Sequence, residues 1–478
     1  MDDLLAGVAM IATFETLFWI ALGSILGIVL GALPGLTATM GVALMLPVSF
    51  YLPTATGMAM LLSVYTGAVA GASIPAILLG IPGNPNALAT VRDGHAMTRA
   101  GQAGLALGSA AVASLVGGVL SLMVLILFAP YLAAATLAFG ATEKFAIAAL
   151  GLLIIAAMSE GNLLRGIAMG ALGVCLSLLG SDPFTNAARL PFADTLASTP
   201  FHNGIELIPA LIGLFGISQA LLDLARLRNT AGAEPVARIG NVFPSWARLR
   251  SMWRVFLEST GIGTLIGAIP GAGASVAVFL AHERARKTSR PVDGEPAVGE
   301  GRIEGVIAPE AANNAVTGGA LMIKGVVPGA ALFANDMPLV YAIFLGMGAA
   351  LMAMFVFQLL GVRLFPLLLR VPLSFLIPCV LILSCVGTFA VDGQAPIKAG
   401  YNMAVALALG VVGYWLRRAE YPIAPLVLGL ILGPMLEDNY RLAVKLAQGD
   451  HLVFLYSPIV LGMVAVMALA TLAARGRR

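Results

Sequence analysis

The chain has 478 residues, of which 59% are apolar and only 11% charged, with a mean hydropathy of +0.95. No water-soluble core absorbs that much apolar surface, so the composition excludes an ordinary soluble protein. A formal net charge of +3, from 27 basic and 24 acidic side chains, defines no nucleic-acid surface, and the expected surroundings are a lipid bilayer.

From the start, Met1-Asp2-Asp3 carries no basic leader region, and the first apolar run continues into another without a small-residue cleavage pattern. No removable signal peptide is expected. Runs such as Leu105–Ala129, Gly204–Leu224, Leu339–Leu360 and Leu452–Leu472 hold few or no charges and are long enough to cross the hydrocarbon layer as helices. Lipid offers the backbone no hydrogen-bond partner, so helix is favoured. A β-barrel would show short alternating segments instead. The predicted fold is an all-α, polytopic integral membrane protein of roughly 10–12 spans. Cys175, Cys379 and Cys385 sit in apolar runs and read as small hydrophobes.

The first unusual feature is Gly31-Ala32-Leu33-Pro34-Gly35 inside an apolar run, with Thr37 and Thr39 just beyond. A helix broken in the membrane exposes N–H groups at one half-helix start and carbonyls at the other half-helix end. The first attract anions and the second hold cations. Pro34, Gly35, Thr37 and Thr39 are therefore candidate substrate-binding positions, although a lone kink would serve helix packing as well.

Next comes Gly71-Ala72-Ser73-Ile74-Pro75, then Gly80-Ile81-Pro82-Gly83-Asn84-Pro85-Asn86. Three prolines with flanking glycines do not fit a plain spanning helix. Ser73, Asn84 and Asn86 bind a carboxylate through N–H or O–H, or Na⁺ through oxygen, without burying net charge, which adds Ser73, Pro82, Gly83, Asn84 and Asn86 to the candidates. The following Arg92-Asp93-Gly94-His95 and Arg99 read as a short solvated connection.

Arg226, Arg228, Arg238, Arg248, Arg250 and Arg254 mark a basic interval. It divides a first membrane half, 1–225, from a second, 255–478, with 226–254 as a linker. Gly267-Ala268-Ile269-Pro270-Gly271 repeats the early motif and is followed by Ser275, so Pro270, Gly271 and Ser275 join the candidates. Basic residues flank Val255–Ala281 on both sides, with Arg284, Arg286, Lys287 and Arg290 beyond it. Both flanks belong on the cytoplasmic side, so the segment is expected to be a re-entrant hairpin, and its counterpart Leu22–Leu46 another. The basic tail Arg475-Gly476-Arg477-Arg478 places the C-terminus on the same side.

Ala308-Pro309-Glu310-Ala311-Ala312-Asn313-Asn314-Ala315 supplies the last candidates, Asn313 and Asn314. Glu310 is expected at the first turn of a helix, where Pro309 fits and negative charge is favoured. There is no Walker loop, the His282-Glu283 pair lacks a second zinc-binding histidine, and no nucleophile elbow appears, so an enzyme is not expected.

Together these motifs resemble the large membrane subunit of tripartite tricarboxylate transporters, the TctA family. The likeness covers nearly the whole chain, through GALPGLTATMGVALMLP, YTGAVAGASIPAILLGIPG, DGHAMTRAGQAG, IGTLIGAIPGAGASVA, EGVIAPEAANNAVTGGA and YPIAPLVLGLILGPMLEDNYR. The resemblance implies a multi-pass permease of the bacterial inner membrane that takes up citrate-like or other small carboxylates on an ion gradient. A small membrane subunit and a periplasmic solute-binding protein are the implied partners. No cofactor is expected. The coupling ion is left open between Na⁺ and H⁺, and the shortage of buried carboxylates or histidines to relay protons leans toward Na⁺.

The chain departs from the family pattern at one place. Gly318-Gly319-Ala320 runs directly into Leu321 to Gly329, where the repeat logic calls for a second segment like Ser73–Gly83, about twenty residues long. The missing piece is expected to be a re-entrant pin, which leaves the topology downstream intact. The alternative function is a degenerate or structural membrane subunit that binds partners without transport.

Overall fold

Continuously apolar runs bury their backbone hydrogen bonds within themselves, and the computed structural model is accordingly helical, with no β-strand among its described residues. Those residues are 2–33, 37–80, 83–137, 140–158, 163–182, 204–226, 240–267, 273–289, 295–324, 336–368 and 396–457, with a few isolated positions between. Five described stretches are long and apolar enough to cross a membrane: Phe14–Ala32, Thr54–Leu79, Ala103–Phe128, Met337–Gly361 and Ile397–Arg418. Large apolar side chains stay exposed on their outer faces, among them Phe14, Leu127, Leu360 and Val411, as lipid contact requires.

In the first half, α1 (Asp2–Ile11) precedes α2 (Phe14–Ala32), which starts at a Thr13 cap. Helix α3 (Ala38–Ser49) starts at Thr37, whose hydroxyl accepts the Met40 N–H at 3.3 Å. Then follow α4 (Thr54–Gly71), α5 (Ser73–Leu79), α6 (Leu88–Arg99), the long α7 (Ala103–Leu137), α8 (Ala141–Met158) and α9 (Leu163–Ser177). Residues 207–226 form α10 (Leu207–Leu211), a π-helical turn Ile212–Ile217, and α11 (Ser218–Arg226).

The linker interval holds α12 (Trp246–Ser251) and the start of α13 (Trp253–Gly267), and after it come α14 (Gly273–Thr288), α15 (Glu304–Lys324) and α16 (Met337–Gly361), started by the Asp336 cap. After a short α17 (Phe365–Leu368) come α18 (Pro396–Arg418), α19 (Ile423–Leu446) and α20 (Val453–Tyr456).

The repeated glycines explain the repeated packing. Gly27 meets the Val64 carbonyl and Gly31 the Ala68 carbonyl, so α2 and α4 run parallel at backbone distance. Gly263 meets Ala312 and Gly267 meets Val316, so α13 and α15 repeat that arrangement. Small residues every four positions permit such approach in a membrane, where dispersion replaces the hydrophobic effect. Alignment on these glycines makes Ser24 and Thr260 equivalent, and both carry buried hydroxyls without a partner.

Both broken segments are hairpins. Thr16 Oγ1 and Thr56 Oγ1 lie 2.7 Å apart at the starts of α2 and α4. Gly57 abuts the Ser49 carbonyl at the end of α3, which returns that helix to the side where α2 began. Arg284, late in α14, donates to Glu258, early in α13, at 2.7 Å. The breaks themselves, including Pro34, Gly35, Pro270 and Gly271, lie outside the described residues.

Relative direction follows from paired contacts. Helix α7 runs parallel to α15, since Gly117 faces Ala311 and Ser121 donates to the Ala315 carbonyl at 2.6 Å. It runs antiparallel to α16, since Gly118 faces Leu351 while Gly348 faces Leu122. Helix α16 in turn lies parallel to α4, with Gly346 on Ala59 and Gln358 Nε2 reaching the Ala70 carbonyl. Thus α4 opposes α15, and the two repeats are inverted. Helix α16 therefore also runs antiparallel to α15.

A second group, α8, α9 and α19, packs beside this core, and α18 packs on the 207–226 segment. Its ends are pinned by Arg189, which donates two hydrogen bonds to Glu437 at 2.7 and 2.8 Å. The π-helical turn meets both α18 and α3, linking this group to the first hairpin.

Candidate substrate and ion site

Where the chain breaks its helices, it also concentrates polar side chains. Gly80 ends α5 in the left-handed region at φ +69°, which only glycine adopts without strain. The chain then turns back so that Gly83 lies against the Gly31 carbonyl and Ala72, bringing the 83–87 turn onto the first hairpin break. That turn also touches α14 and α15. The second hairpin and the turn therefore meet on α15, and the turn links it to the first hairpin.

The expected residues fall into three groups. Asn84 is buried, and its Oδ1 accepts the N–H groups of Asn86 and Ala87 at 3.0 and 3.2 Å, so it shapes the turn. Ser73 is buried and donates to the Ala70 carbonyl at 2.7 Å, and Asn86 is half-buried. Thr37 caps α3 and is half-buried, while Thr39 is exposed. Pro82 lies outside the described residues, as does the Ser275 side chain. The third group is Asn313 and Asn314, both buried, with neither Oδ1 nor Nδ2 of either one partnered.

Four residues on α15 share one face at helical spacing: Glu310, Asn313, Asn314 and Thr317. All are buried, and each has a polar atom without a hydrogen bond. On the parallel α13, Thr260 and Thr264 lie at the same depth, also buried and unpartnered, because Gly263 sits beside Ala312. Ser114 Oγ on α7 is a further one. An unsatisfied buried group costs about 1–3 kcal/mol, so a packed stripe of them is not explained by stability. Such a stripe offers hydroxyls and amides to a ligand of either sign.

Glu310 departs from expectation. Helix α15 begins at Glu304, so Glu310 lies two turns inside it rather than at its first turn. It is fully buried, and Thr90 Oγ1 of α6 donates to its Oε1 at 2.6 Å. Pro309 starts nothing, being inside the helix. Few buried carboxylates was the ground for favouring Na⁺, and Glu310 removes part of that ground.

The 92–99 stretch departs as well. Arg92 and Arg99 are exposed, but Asp93 is fully buried in α6. His282 Nε2 of α14 lies 2.9 Å from its Oδ2, and the N–H groups of Gly299, Gly301 and Arg302 donate to it at 2.8–3.0 Å. Gly299 and Gly301, at φ +104° and +117°, shape the loop so that its N–H groups converge. Burial alone would raise the Asp93 pKa. The His282 contact and three backbone N–H groups outweigh it and hold the carboxyl below its ordinary 3.8. Only distant pairing, 189 residues apart in sequence for His282, makes this node, and no local pattern announces it.

Comparison with known proteins places the chain. Residues 17–322 and 318–428 match the tripartite tricarboxylate transporter TctA family, in two pieces that meet where the second repeat departs from the pattern. An uncharacterized 52.8 kDa protein of Agrobacterium vitis, from the TAR-I ttuC' 3'region, is 29% identical over 494 residues, covering 98% of this chain and 95% of the relative. That alignment is longer than the 478-residue chain, so the relative has residues without a counterpart here. An uncharacterized protein of the same organism, from the TAR-II ttuC' 3'region, is 28% identical over 243 residues, 45% of this chain and 97% of its own length. No solved structure matches. The inverted repeats, the helical hairpins and a family match across most of the chain agree: the protein belongs to the tripartite tricarboxylate transporter TctA family.

Proposed function

We propose that this chain is the large permease subunit of a tripartite transporter and takes up small carboxylates on an ion gradient. It would sit in the bacterial inner membrane with its basic face and C-terminus cytoplasmic, with a small membrane subunit and a periplasmic solute-binding protein as partners. The carrying observation is the unpartnered polar face of α15, level with Thr260 and Thr264 and touched by the second hairpin and the 83–87 turn. Asn313 and Asn314 donate to the carboxylate through their amides, and the starts of α3 and α14 add positive dipole ends. The 83–87 turn, shaped by Asn84, closes the substrate space against the first hairpin.

Substrate recognition by neutral groups avoids burying a fixed charge when the site is empty. It suits alternating access, in which inverted repeats rock about a midplane site. Sodium remains a candidate coupling ion, held by oxygen ligands alone. The test is accumulation of labelled citrate, succinate and benzoate in vesicles containing the chain and both partners. Gradient-dependent accumulation of one of them is expected. Substrate binding to the complex with no accumulation of any favours the degenerate-subunit reading.

A further inference from the structure

We propose that Glu310 is the site of cation coupling, a carboxylate that takes up one monovalent cation, a proton or a sodium ion, in step with the substrate. This rests on the permease reading above.

The geometry isolates a single negative charge. Glu310 Oε1 accepts the Thr90 hydroxyl at 2.6 Å, and Oε2 has no partner. Ser114 of α7 lies near the carboxyl without completing a hydrogen bond to it. Among the described residues, no protein cation lies against it. Helix α7 holds no charged residue from 103 to 137, and α4 and α16 hold none. On α6, Arg92 and Arg99 point outward, Asp93 is engaged by His282 and the 299–302 loop, and His95 is half-buried. On α13, Arg254 stacks on Trp253 and Glu258 pairs with Arg284 at the basic face. On α14, Glu283 pairs with Arg286 and Lys287 in solvent. On α15 itself, Glu304 pairs with Arg302, and Lys324 stands at the far end, almost four turns from Glu310.

An ionised carboxylate left unpaired in such a place costs several kcal/mol. An exchangeable cation removes that cost, and the surrounding ligands suit a monovalent one: one carboxylate, with neutral hydroxyl and amide oxygens nearby. No cluster of three acidic, histidine or cysteine side chains exists among the described residues to hold a higher charge. Thr90 lies one helical turn beyond the 83–87 turn. The residue that senses the cation and the turn that closes on substrate thus belong to one short segment. A cation at Glu310 and a carboxylate at Asn313 and Asn314 also offset each other's charge one turn apart, which favours binding them together.

Two measurements on the purified chain with its partners test this. Infrared difference spectra report the carboxyl directly, without any substrate. A carboxylic-acid band, or a carboxylate band that shifts with NaCl, is expected in the wild type and absent in Glu310→Gln. A band removed by NaCl assigns sodium, and one indifferent to NaCl assigns the proton. If no band depends on Glu310, the proposal is overturned. In vesicles, Glu310→Gln should lose gradient-driven accumulation at least about tenfold while keeping substrate exchange across the membrane. Glu310→Asp, which keeps the charge, should keep coupling with a shifted midpoint in pH or NaCl. Accumulation by Glu310→Gln equal to the wild type, or an unshifted midpoint in Glu310→Asp, refutes the coupling role while the permease reading stands. A wild type that moves none of the carboxylates yet shows the Glu310 band refutes the permease reading and leaves the cation site.

Discussion

Asp93 and His282 meet at 2.9 Å across the two inverted repeats, one on α6 and the other on α14, and the loop before α15 closes over the same carboxylate. One acidic side chain therefore ties the segment after the first repeat's turn to the second repeat's hairpin. Its environment is all donors, so Asp93→Asn presents an amide to N–H groups that need an acceptor. The variant should lose about 3–5 kcal/mol and lower the Tm of the purified protein by several degrees. A Tm equal to the wild type would remove the node from the account.

The same residue fixes a pH dependence. Its folded pKa lies below the ordinary 3.8, so its stabilisation is full above that value and is lost as pH falls through the lower folded value. The Tm gap between wild type and Asp93→Asn should stay constant down to about pH 5 and close at lower pH. A gap that widens on acidification contradicts the assignment.

Close helix approach gives a paired prediction on α13. A methyl group at Gly263 meets the Ala312 backbone, whereas one at Gly261 meets nothing within 4 Å. Gly263→Ala should destabilise by about 1–3 kcal/mol, and Gly261→Ala should be neutral or stabilising by up to about 1 kcal/mol. Thermal unfolding of both variants in one detergent makes the comparison, and equal effects would argue against the parallel packing.

The hairpin reading is open to labelling. Arg284 and Glu258 are bonded at 2.7 Å, so cysteines at 258 and 284, in a background without Cys175, Cys379 and Cys385, should react with a membrane-impermeant maleimide from the cytoplasmic side only. Labelling of the two from opposite sides would turn the hairpin into a crossing.

How much of this was legible in sequence depends on how far each contact reaches. The Gly-Ala-x-Pro-Gly repeats named both hairpins because a helix break and a close-packing glycine stripe are local patterns. Asn313 and Asn314 stood out because amides are rare in an apolar run. Glu310 was misplaced because Pro309 imitates a helix start, while the real start at Glu304 follows from the Arg302 contact and the glycine loop. Asp93 looked solvated among charged neighbours, and only its partners from 189 to 209 residues away show otherwise.

Unpartnered amides predict opposite signs for stability and function. Asn313→Ala with Asn314→Ala removes buried groups that no neighbour satisfies, so the double variant should be as stable as the wild type or more so. A lower Tm would mean that these amides hold the fold together.

The most direct test of the central claim is uptake by that double variant. At equal abundance in vesicles with both partners and an imposed gradient, accumulation of the transported carboxylate should fall at least about tenfold below wild type, with the fold intact. Uptake equal to the wild type would contradict a substrate site on this face of α15.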